Sequence, residues 1–159
     1  MPKGSDAERI VDVYWEGPFE WANVHKCTKQ HHMLYALYGA HHAYGLNVLL
    51  YIGRTTGVAN RFASHETWVG DEYDPMTVRL ASLGEVDTWQ EWDEHDHYPR
   101  AEDDLVKRVE ALLIYALQPA YNRANKDSLG DAKGLRVFNT GMIGTMLPEV
   151  SYRYHDDEW

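Results

Sequence analysis

One short stretch, residues 33–65, can bring together two phenols, Tyr35 and Tyr51, a guanidinium, Arg61, and an imidazole, His65. Tyr35 opens one apolar run, and Tyr51-Ile52 closes another, followed by Gly53 and Arg54. Arg61 and His65 are four residues apart, so a helix there places both on one face. Tyrosine and histidine can pass a proton, and arginine can clamp an anion with a planar fork of donors. The stretch holds no carboxylate, so an acidic partner has to come from further along the chain. Glu110 is the candidate. It lies just off the apolar stripe of the best helical segment, where it can sit at the rim of the core.

Strands and helices must hold these groups. Residues 35–38 read as a strand. Residues 39–45, with His41 and His42, read as a connection, and residues 46–52 are apolar enough for a strand buried on both faces. Together they predict a hairpin with a longish loop. Gly53 and Gly57 bracket Arg54, and Thr56 or Asn60 caps the helix that carries Arg61 and His65. Residues 77–83 predict a third strand. Residues 101–117 predict a helix with acids in its first turn and an apolar face of Leu105, Val109, Leu112, Leu113 and Ala116. Pro119 ends it, and residues 118–122 form an ordered turn.

Around this core, residues 31–125, lie two extensions. Residues 1–30 pack on the core. Val11-Asp12-Val13-Tyr14-Trp15 alternates as a strand does, and Gly17-Pro18 breaks it. Residues 126–159 hold one or two short strands and an acidic, frayed tail.

A chain of 159 residues with 44% hydrophobic and 25% charged residues suits one folded domain. One cysteine, Cys27, excludes an internal disulfide and a four-cysteine zinc site. His31 and His32, taken with His41 and His42, lack any fixed zinc-ligand spacing. There is no membrane-length apolar run and no secretory leader, so the expectation is a cytoplasmic protein with no membrane partner. The net charge of -10 opposes non-specific phosphate binding. It leaves room for a local neutral-to-basic cleft, because the acids gather in residues 87–104 and in the tail.

Met33-Leu34-Tyr35, followed by Tyr51-Ile52-Gly53, resembles the two-part signature of the GIY-YIG nucleases, with Met-Leu-Tyr standing where the family has Gly-Ile-Tyr. Arg61, His65, Glu110 in Glu-Ala-Leu-Leu-Ile, Gln118-Pro119 and Asn122 follow in the family's order. The resemblance covers residues 33–123. It implies an α/β (α+β) fold with a small central antiparallel three-stranded sheet flanked by helices. It also implies an endonuclease that hydrolyses DNA phosphodiester bonds.

On that resemblance, Glu110 holds one divalent metal, Mg²⁺ or Mn²⁺, as suits a lone carboxylate with waters and phosphate oxygens. Arg61 clamps the phosphate. Tyr51 or Tyr35 takes the proton of the attacking water, and His65 orients that tyrosine or relays its proton. Asn122 fixes the glutamate or the phosphate. Gly53, Arg54, His41 and His42 line the substrate. Singly, each tyrosine is a core residue and Glu110 a surface acid of a helix; the set in order is what outweighs those readings. A two-strand cut would call for a homodimer or sequential nicking. Two other functions fit the same residues: a non-catalytic nucleic-acid- or protein-binding module, and an RNA nuclease.

Overall fold

The computed structural model describes residues 8–55, 75–87, 98, 101–128 and 130–155. Six strands form one mixed sheet: β1 (Arg9–Glu20), β2 (Leu34–His41), β3 (Gly45–Arg54), β4 (Thr77–Glu85), β5 (Leu135–Gly141) and β6 (Glu149–Ser151). Their order across the sheet is β3-β2-β4-β1-β5-β6. Neighbours are antiparallel except β1 and β5, which run parallel. The described helices are α1 (Val24–Cys27), a single turn, and α2 (Asp103–Leu117). Among the described residues no helix is long and apolar enough to cross a membrane.

The expected small antiparallel three-stranded sheet flanked by helices is therefore overturned. Strands β2, β3 and β4 lie over the segments the sequence pattern marks, but β2 continues to His41, so residues 42–44 form a short turn instead of the longish loop expected at 39–45, and the three strands are half of a larger mixed sheet. The free side of β4 is covered by a strand instead of a helix. Val11 pairs with Glu85, Val13 with Leu83 and Trp15 with Ala81. On its other side β1 pairs with β5, Val11 opposite Val137. The alternation in β1 makes this workable. Val11, Val13 and Trp15 point into one core, while Asp12, Tyr14 and Glu16 point to the opposite face.

That core lies between the sheet and α2. Val109, Leu112, Leu113 and Ile114 of the helix meet Leu34, Ala36, Ile52, Ala81, Leu83 and Val137 of the strands. Asp103 and Asp104 sit in the first turn of α2, where the exposed N–H groups favour negative charge. Gln118 closes the helix in a left-handed conformation (φ 49°) ahead of Pro119. The other face carries a second, smaller cluster of Val24, Tyr35, Leu37, Leu50, Met76, Val78 and Leu80.

Candidate active site

Gly53 is where the two tyrosines converge. A Cβ on this residue would lie 2.7 Å from both Cζ and the hydroxyl of Tyr35, and 2.8 Å from the Tyr51 ring. Real Cβ atoms do not approach that closely, so the site requires glycine. The Tyr35 and Tyr51 rings are 5.9 Å apart at an interplanar angle of 29°. Tyr35 is fully buried, and Tyr51 is half-buried.

The pleat turns the next residue the other way. Arg54 follows Ile52 onto the helix side of the sheet, and its Nε lies 2.8 Å from Oε2 of Glu110 on α2. Both side chains are partly exposed. Tyr35 and Tyr51 thus stand on one face at the end of β3, and Arg54 and Glu110 on the other. The sequence places Glu110 at the rim of the core, and there it is. It does not bring it onto the tyrosine face. Arg61 and His65 lie outside the described residues.

Asn122 is buried and works on the backbone. Its Oδ1 accepts from the Ile52 N–H at 2.9 Å, and its Nδ2 donates to the Ile52 carbonyl at 2.9 Å. Ala120 N–H donates to the Leu49 carbonyl and Tyr121 N–H to that of Leu50. The turn after α2 therefore covers the outer edge of β3, satisfying polar groups that an edge strand would expose. That assignment, to Ile52, differs from the expected contact with a glutamate or a phosphate.

His41 and His42 lie at the hairpin turn. His41 Nδ1 accepts from the Ala43 N–H at 3.0 Å, and its ring stacks on Tyr44 at 4.5 Å. Tyr44 and Leu46 are largely exposed beside it.

A further cluster shares the tyrosine face. Directly paired residues point to the same side of a sheet, and Gly53 pairs with Tyr35, Tyr35 with Leu80 and Leu80 with Glu16. Glu16 therefore stands two strands from Tyr35, about 10 Å away at ordinary strand spacing. Its Oε1 is 3.6 Å from His31 Nε2 and 3.4 Å from His32 Nε2. Burial, and then the neighbouring His31, hold the His32 imidazole below the ordinary histidine range. The adjacent histidines are visible in the sequence. Glu16 as their partner is not, because a strand bulge, a 3₁₀ turn and α1 intervene.

No family model, characterised protein or solved structure matches this chain.

Proposed function

We propose that the chain is a metal-dependent nuclease acting on DNA phosphodiester bonds at the end of β3. The observation that carries this reading is the packing at Gly53, which only a residue without a Cβ permits and which sets two phenols side by side. Beside them the chain crosses the sheet to a guanidinium–carboxylate pair, Arg54 and Glu110. Proton transfer needs a group that water can reach. Tyr51, the more exposed of the two tyrosines, is the base, and the buried Tyr35 positions it. Glu110 is the residue to hold a hard divalent cation, Mg²⁺ or Mn²⁺, since such ions accept one carboxylate and complete their shell with water and phosphate oxygens. When bound, the ion supplies charge neutralisation at the phosphate and help for the leaving oxygen. Arg54 orients the Glu110 carboxylate. As a fixed cation beside it, Arg54 also weakens affinity for a second cation, so the metal requirement is high.

A second reading is a non-catalytic binding module for nucleic acid or protein. The opposite-face arrangement of the tyrosines and Glu110 favours it. One experiment separates the two. Wild type and Glu110→Ala are incubated with supercoiled plasmid, branched DNA, single-stranded DNA and RNA, in Mg²⁺, Mn²⁺ or EDTA. DNA cleavage by wild type alone, and only with metal, is expected. If folded wild type cuts no DNA under any condition, the nuclease reading falls and the binding module replaces it; RNA cleavage alone moves the substrate class.

A further inference from the structure

From the geometry on β1 and before β2, we infer that Glu16, His31 and His32 form a site for a borderline divalent cation of the zinc class. It does not depend on the nuclease reading. All three possible ligand atoms lie within 4.8 Å of one another. Zinc bonds to nitrogen and carboxylate oxygen are about 2.0–2.2 Å, which gives tetrahedral edges of about 3.3–3.6 Å. The two distances from Glu16 Oε1, 3.6 and 3.4 Å, match those edges. Two imidazoles and one carboxylate are also a donor set that zinc-class ions take, with a fourth position left for water.

His32 carries the second observation. Its side chain is fully buried, and its Nε2 faces the Glu16 carboxylate at 3.4 Å without a well-aligned hydrogen bond. A buried polar atom so weakly satisfied gains from a better partner. One contact opposes binding. The Lys29 N–H donates to His32 Nδ1 at 3.0 Å, which leaves the ring proton on Nε2. The cation takes the place of that proton, the proton moves to Nδ1, and the Lys29 hydrogen bond is given up. One backbone hydrogen bond is exchanged for a metal–nitrogen bond.

The bound ion acts as a brace. It ties residues 28–33 to β1, next to the irregular register between Glu16 and Phe19. The same segment is held to the end of β3: Thr55 Oγ1 donates to the His32 carbonyl at 2.6 Å, and Thr55 N–H to the Met33 carbonyl at 3.0 Å. Occupancy therefore reaches the backbone next to Gly53 and Arg54.

The test is a competition titration of Zn²⁺ against a chromophoric chelator, with a melting curve for each protein. Wild type takes up one Zn²⁺ per chain, and its melting temperature rises with metal. Glu16→Gln and His31→Ala, both at partly exposed positions and confirmed folded by circular dichroism, bind at least about tenfold more weakly and lose the rise. A His41→Ala/His42→Ala variant behaves as wild type. The inference is overturned if wild type takes up no Zn²⁺, or if Glu16→Gln and His31→Ala bind as wild type does.

Discussion

The two faces of the sheet are made by alternate residues of the same strands, yet they are filled in different ways. On the α2 side Val11, Val13 and Trp15 meet a helix whose buried positions are aliphatic. Burial there is continuous, and Glu110 enters only at the margin, paired with Arg54. On the other side the same strands present Glu16, Tyr35 and Tyr51, with His31 and His32 against Glu16. That face buries aromatic rings and ionisable groups together. The helix side is mostly apolar with the Arg54–Glu110 pair at its rim, and the other side holds Tyr35, Tyr51 and the Glu16–His31–His32 group.

Mutation can break or sharpen this contrast. The largest loss is expected on the helix side. Leu112→Ala removes a side chain with no exposed surface, and urea denaturation should report a loss of about 2–5 kcal/mol. On the tyrosine side Gly53→Ala adds a methyl group where two rings already meet. Overpacking of this kind costs about 1–3 kcal/mol. Near-ultraviolet circular dichroism should change along with stability, since the tyrosines must move. An unchanged aromatic spectrum would mean that they do not pack over Gly53 as described.

The smallest effect is one of pH. Burial lowers the His32 pKa in the folded state, so the unfolded chain binds the proton more tightly. Above the ordinary histidine value, near 6.5, neither state carries the proton and His32 has no effect. As pH falls below it the unfolded state is protonated first, and stability declines until the pH reaches the folded value. His32→Gln should flatten this decline in stability measured between neutral and mildly acid pH. A slope equal to that of wild type would show that His32 is not held neutral.

Local pattern showed the strands that α2 packs on, and α2 itself, because alternation and a helical stripe are written in neighbouring residues. It also placed short strands after residue 134 and a strand at Val11–Trp15, but that strand does not break at Gly17-Pro18: it passes through them with a shift of register and runs to Glu20. It could not show that these strands belong to one sheet. Pairing between β1 and β5 joins opposite ends of the described chain, and an alternating strand accepts a partner on either edge. The site divides in the same way. The nearness of Tyr35 and Tyr51 was legible from the two strands that carry them, but the close packing of both rings on Gly53 was not, because it depends on cross-strand register. Asn122 was legible as an ordered residue, but its partner, the Ile52 backbone, follows from β3 being an edge strand. Glu16 was hidden because its histidines approach from a separate turn.

The parallel pairing of β1 with β5 bears on how the molecule is made. A strand inside the sheet leaves synthesis early, but the segment that completes it begins only at Leu135. Until then one row of its N–H and C=O groups has no strand to bond. The closure entropy of so long a loop is met late, and such non-local pairing is slow. A strand paired on both sides in the finished fold is thus open along one edge while the chain is still growing. A nascent chain halted before residue 135 presents β1 to other chains as an adhesive edge.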